Sequence, residues 1–326
     1  MKLVSKNWKY IAYALAGVIL LIMVLVTGTN GLPKVDQEIY SDALKLEERV
    51  NGFGFEDFAI SNYKVRFFDG TVDYVVKGDS IEKEEAAFQT FVGTTVEIDG
   101  EYQVLLPTYD RFEQMFSALS TVGSMAEGSS SFEEADYSTN AHMATLWHEA
   151  FHTWQFTRQA SQLFEMAEEA GIGEETKYAE VLKNEVDSNN ALVLSFEKEM
   201  QLLTQAYEEN DIMKKCEILQ QIFTLQEERK ELLSKQAVFI EQYYEMVEGS
   251  AKYVEGCAFK ELEGQEAWES TYMGPFEYEN GSGKYYTSGM MKCLILDQIA
   301  PDWKATFDVT ISLDVLLQQA MDVLLE

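Results

Sequence analysis

From Ser138 to the C-terminus the chain carries helical periodicity almost without interruption, which leaves little room for a fold built on a large sheet. Ser138, Thr139 and Asn140 are candidate caps for a helix that carries Leu146 to Arg158, and Gly171 and Gly173 break it. Two long amphipathic stretches come next, at about 174–208 and 212–258, separated by Glu209-Asn210-Asp211. They read as an antiparallel pair, a helical insert at about 174–245. Pro301 interrupts the C-terminal part, before a last amphipathic helix over 312–325. Strand signals are confined to the first part of the chain. Tyr63 to Val76 alternates around Asp69-Gly70, and Thr94 to Leu106 alternates around Asp99-Gly100. Asp-Gly between alternating β-branched and aromatic residues is a strong hairpin signal. Residues 36–50 and 80–91 read as helical, and Gly123 to Ser131 as a loop. The predicted class is α+β and mostly α: a small N-terminal sheet, a long helical insert and a helical C-terminal part.

The N-terminus reads as a targeting segment. Lys2, Lys6 and Lys9 precede an apolar run from Tyr10 to Val26, with no acidic residue before Asp36. A basic flank before an apolar run predicts a cytoplasmic N-terminus and an exported remainder. Residues 1–30 are therefore expected to be a transmembrane helix acting as a signal-anchor, or a cleaved signal. Residues 31–326 are expected to form a single extracytoplasmic domain, at the cell membrane or secreted. The net charge of −31 repels nucleic acid, so no nucleic-acid partner is expected. Cys216, Cys257 and Cys293 are widely spaced and odd in number. Neither a thiolate metal site nor a disulfide framework is expected of them.

The chemistry gathers in Leu146-Trp147-His148-Glu149-Ala150-Phe151-His152-Thr153-Trp154-Gln155. On a helix, His148 and His152 lie on one face, so two imidazoles can reach one tetrahedral metal ion. Glu149, one residue after the first histidine, is then placed to take a proton from a water that the metal activates. The chain has only three histidines, and the third, His142, lies six residues before His148 and off the ligand face. No histidine follows His152. A catalytic zinc takes three protein ligands, so the third is expected to be a carboxylate.

Glu248 is the candidate, because it stands in Met246-Val247-Glu248-Gly249-Ser250-Ala251-Lys252-Tyr253. Glycine and serine inside a strong helix cost stability and permit another helix to approach closely. Glu185, Asp187, Glu245 and Glu255 are rivals, and Glu245 and Glu255 are alternatively partners of the ligand histidines. Gln155 is either such a partner or a surface group. Trp147, Trp154 and Phe156 read as core.

H-E-x-x-H followed later by E-G-x-A-x-Y resembles the gluzincin zinc metallopeptidases, and especially their aminopeptidase branch. The resemblance implies a zincin-like active-site helix packed on the small sheet. It implies one Zn2+ per chain held by His148, His152 and Glu248, with Glu149 as the general base. Tyr286-Thr287-Ser288-Gly289 resembles that branch's Tyr-x-Lys-Gly, which implies an oxyanion-stabilising role for Tyr286, with Ser288 in place of the lysine. The segment between His152 and Glu248 is far longer than usual in that branch. Its amine-binding Gly-x-Met-Glu-Asn motif has only a loose echo here, in Gly123-Ser124-Met125-Ala126-Glu127. The expected activity is hydrolysis of a peptide or protein substrate, with the strand within Tyr102 to Pro107 offering its edge to an extended peptide. The competing expectation is a membrane-tethered acidic helical scaffold with a structural or vestigial zinc site.

Overall fold

The computed structural model describes residues 31–115 and 137–325, which fall into two compact units. Of the described residues, the first unit holds 31–48, 59–115 and 137–153, and the second 49–58 and 154–325.

In the first unit, helix α1 (Lys34–Val50) precedes five strands: β1 (Val65–Phe68), β2 (Val72–Lys77), β3 (Ser80–Glu85), β4 (Thr94–Ile98) and β5 (Glu101–Pro107). The strands form one sheet in the order β3-β2-β1-β5-β4. Both expected hairpins form, β1–β2 with Phe68 opposite Asp73 and β4–β5 with Ile98 opposite Glu101. Asp99 and Gly100 both take positive φ, the conformation that a tight two-residue hairpin demands. Asp69 locks the other turn, its Oδ1 accepting from the backbone N–H groups of Thr71 and Val72. β1 and β5 run parallel and bury Val65, Phe67, Val104, Leu105 and Leu106.

Two expectations are corrected in this sheet. Residues 80–91 were expected to be helical, yet Ser80–Glu85 pairs antiparallel with β2. The Gly78-Asp79 turn, with Gly78 at positive φ, folds the segment back against its helix-forming composition. Its Glu and Lys residues stay solvated, as suits a strand at the outside of a sheet. The other correction concerns Tyr102–Pro107. It lies in β5, flanked by β1 and β4, so the outer strand at this end of the sheet is β4.

The second unit is helical. Helix α2 (Thr139–Glu169) begins in the first unit and runs into the second. It starts where Ser138 Oγ accepts from Ala141 N–H at 3.1 Å. It stops before Gly171, which takes positive φ. Then come α3 (Tyr178–Val181), α4 (Asn190–Glu208), α5 (Ile212–Lys230), α6 (Lys235–Tyr243), α7 (Ser250–Glu263), α8 (Gln265–Tyr272), α9 (Gly283–Ile299) and α10 (Leu313–Leu325). The two long helices expected of the insert are divided. Leu182–Asp187 and Tyr244–Gly249 are π-helical, and a turn separates α5 from α6. α4 and α5 do form the expected pair, joined at Asp211, whose side chain accepts from Met213 and Lys214 N–H. Cys216, Cys257 and Cys293 are free thiols.

Helix α9 is buried along most of its length and packs against α4, α7, α10 and the π-helical turn 244–249. It approaches that turn glycine on glycine. A Cβ on Gly249 would stand 2.5 Å from Gly289 Cα. The Gly-Ser pair thus admits a close neighbour, as its sequence implies, but at Gly249 that neighbour is α9 rather than the histidine helix.

Among the described residues no helix is long and apolar enough to cross a membrane. The expectation of a single-pass, signal-anchored membrane protein is corrected by that finding. The run Tyr10 to Val26 that prompted it, and the segment 123–131, lie outside the described residues.

Candidate metal centre

His148 and His152 lie one turn apart on α2, buried, and present the same ring nitrogen to one point. Their Nε2 atoms are 3.0 Å apart. Two nitrogens bound tetrahedrally at about 2.0–2.1 Å from one zinc ion sit roughly 3.3 Å apart, so the pair is close to a ligating arrangement. Glu149 is also buried, and its carboxylate lies against the backbone of Gly93, just before β4. A Cβ at Gly93 would meet Glu149 Oε1 at 2.7 Å, so glycine there is what lets the carboxylate occupy its position. Thr95 of β4 donates from Oγ1 to the backbone carbonyl of Glu149 at 2.9 Å and shares a hydrogen bond with Thr153 Oγ1 at 2.9 Å. Outer strand and histidine helix are thereby pinned at the turn that carries Glu149.

Glu248 stands in the π-helical turn Tyr244–Gly249. A π turn bonds over five residues rather than four and so rotates the side chains beyond it. Around Glu248 the chain gathers phenols. Tyr286, on α9, hydrogen-bonds the carboxylate, and burial together with that negative neighbour pushes its hydroxyl well above the usual range. Burial first, and the Glu248 charge second, raise Tyr243 and Tyr244 in the same direction. Tyr178 stacks edge-on against both. The sequence singles out Tyr286, for an oxyanion role, and none of the other three. The available signal was the Tyr243-Tyr244 pair five and four residues before Glu248, one π turn away.

Gln155 supplies the link between the histidine helix and this turn. It is fully buried, and its Nε2 donates to Val247 O at 3.2 Å and to Ser250 Oγ at 2.9 Å, on either side of Glu248. His148, His152 and Glu248 each offer one donor atom within 4.8 Å of the others, a group that could hold a metal ion. Two imidazole nitrogens and a carboxylate oxygen suit a borderline divalent cation.

The rival acids are engaged elsewhere. Glu185 accepts from Ser234 N–H and Oγ at the start of α6. Asp187 receives Tyr278 Oη, Gly281 N–H and Lys284 Nζ. Glu255 accepts from Tyr272 Oη. Glu245 turns toward α9, where Ser288 Oγ at 2.6 Å and Lys292 Nζ at 2.7 Å bind its two oxygens. Burial raises Glu245 to about 7, against the pull of Lys292. Lys292 also faces Asp314 at 2.7 Å and Glu199 at 3.5 Å, in a buried ionic cluster behind the turn. His142 is no part of the metal group. It shares a hydrogen bond with Tyr137 Oη through Nδ1, and burial lowers it to about 3. Trp147 and Trp154 are core, and Phe156 is half-buried. Trp154 packs on Phe55 and Phe307.

Comparison of the chain with family models, curated proteins and solved structures returned no match. The assignment of chemistry therefore rests on the site itself.

Proposed function

We propose that the chain is a zinc-dependent peptidase of gluzincin type. The observation that carries this reading is the convergence of His148, His152 and Glu248. Zinc fits because the donor set is two imidazoles and one carboxylate, and because among the described residues no fourth His, Cys, Asp or Glu joins the group. A structural site would be closed by a fourth protein ligand, so three ligands favour catalysis over the scaffold alternative. The chemistry that zinc supplies when bound is Lewis-acid polarisation of a carbonyl and acidification of water.

The remaining roles belong to the chain. Glu149, held against Gly93 in a water-poor position, takes a proton from the attacking water and returns it to the leaving amine. Tyr286 keeps its proton at neutral pH and serves as the donor that steadies the developing oxyanion. Gln155 holds the Val247 carbonyl on one side of Glu248 and the Ser250 hydroxyl on the other, and so orients that ligand. The outer strand β4, with Thr95 fastened to the helix, offers an edge on which an extended peptide adds as a further strand.

The test is hydrolysis by the purified full chain of casein and of a peptide library, with Glu149→Gln as control. Cleavage by the parent, reduced at least 100-fold in Glu149→Gln, supports the mechanism. Equal cleavage by both proteins, or none by the parent, rejects it.

A further inference from the structure

A groove of about 790 Å³ opens in the second unit, formed by α4, α8, the segment 273–276 and two residues of α9. That volume is within the range of cavities that hold ligands. Its apolar lining is aromatic and sulfur-rich, and includes Trp268, Tyr272 and Phe276 with Met200, Met273 and Met291. Methionine and aromatic surfaces adapt to varied apolar side chains. Its charged lining is of one sign. Glu197, Glu208 and Glu269 border it, and no Lys, Arg or His is among the described residues that line it.

The charged groups on the lining are thus all carboxylates. The Tyr207 hydroxyl is raised by burial and then by the charges of Glu269 and Asp297. Two of the lining rings already carry ammonium groups of the chain itself, Lys252 and Lys260 standing 4.9 Å from the ring centroids of Tyr272 and Trp268.

From this combination we infer that the groove is a docking site for a basic polypeptide segment, one that alternates Lys or Arg with apolar residues. The apolar side chains enter the aromatic and methionine floor. The cations meet the three carboxylates. A strongly acidic segment is repelled, and a purely polar basic one leaves the floor uncovered. The α4–α5 insert then has a purpose, since α4 forms one wall of a surface that captures cationic chains. The inference stands apart from the peptidase reading, because it uses none of that site's residues.

The test uses the full chain carrying Glu149→Gln, so that a bound peptide is not consumed. The probe is a fluorescein-labelled octapeptide of alternating Lys and Phe, followed by anisotropy at physiological salt. Comparison probes are the Glu–Phe and Lys–Ser octapeptides and spermidine. Two groove variants are made. Glu197→Gln with Glu208→Gln and Glu269→Gln removes the charge, and Thr204→Arg places a cation in the groove. A control, Glu165→Gln with Glu168→Gln and Glu169→Gln, removes the same charge from exposed positions on α2. The expected result is saturable binding of the Lys–Phe peptide, at least tenfold weaker in both groove variants and unchanged in the control. Binding at least tenfold tighter than that of the Lys–Ser peptide and spermidine is also expected. Equal binding by groove variants and parent, an equal loss in the control, spermidine binding as tightly as the peptide, or no saturable binding would each overturn the inference.

Discussion

Replacing Gly289 by alanine tests the packing that carries Tyr286 and the Glu248 turn. Helix propensity alone predicts a gain of about 1 kcal/mol, since Gly is a poor residue inside a helix. The structure predicts the opposite sign. A Cβ at Gly289 would lie 2.8 Å from Gly249 Cα and 2.9 Å from Glu245 C, and still closer to Glu245 O. All three are backbone atoms and have no rotamer by which to retreat. Ordinary contact needs about 3.5–4.0 Å, so α9 has to move away from the π-helical turn by roughly 1 Å. The Ser288–Glu245 and Lys292–Glu245 contacts, now 2.6 and 2.7 Å, then lengthen beyond hydrogen-bonding distance. Overpacking costs about 1–3 kcal/mol, and loosening a buried charged hydrogen bond about 1.5–3 kcal/mol more, which less the propensity gain leaves a net destabilisation of roughly 1.5–5 kcal/mol. Urea unfolding followed by circular dichroism measures it. Gly283→Ala is the matched control at the start of the same helix, where a new Cβ meets nothing within 4 Å and stability should be unchanged or higher. If Gly289→Ala is as stable as the parent, the close-approach reasoning is wrong.

Three further outcomes are expected. Gln155→Leu removes one buried donor from Val247 O and Ser250 Oγ, while Val247 O keeps the Ser250 N–H, and should cost about 0.5–1.5 kcal/mol and weaken zinc affinity about 10–100-fold, read by chelator competition. Tyr286→Phe should lower kcat about 100-fold with little change in KM, because the phenol is assigned a role in the transition state only; equal losses in substrate affinity would assign it to binding instead. Asp36 is raised from 3.8 to about 7 by burial, so its folded value lies above its unfolded one. Its contribution to stability is full below pH 3.8 and is lost as pH rises through 7. Asp36→Asn keeps the acceptor for Tyr109 N–H, and should match the parent near pH 4 and exceed it at pH 8 by up to about 4 kcal/mol in denaturant titrations.

The site was legible in the sequence to the extent that it is local. His148, Glu149 and His152 are fixed by helical spacing alone. Glu248 could be selected because a Gly-Ser pair inside a helix demands a close neighbour. What the spacing did not tell was which neighbour, since an approach between Gly249 and Gly289 depends on how two helices distant in sequence pack. The π-helical turn that gathers Tyr243 and Tyr244 near Glu248 is likewise invisible to a 3.6-residue period. In the sheet, Asp-Gly turns announced two hairpins. β3 escaped because Ser80–Glu85 is rich in helix-forming, charged residues, and only its pairing with β2 makes it a strand. Gln155 was noticed without a role, because its partners lie in the Glu248 turn, distant along the chain.

The central claim is that two imidazoles and the Glu248 carboxylate share one divalent cation. Metal content of the purified full chain, measured by plasma mass spectrometry alongside His152→Ala and Glu248→Ala, tests it most directly. The account predicts one zinc per chain in the parent and a loss of at least 90% in each variant, with far-ultraviolet circular dichroism unchanged. A parent without zinc, or a Glu248→Ala protein that retains it fully, would contradict the account.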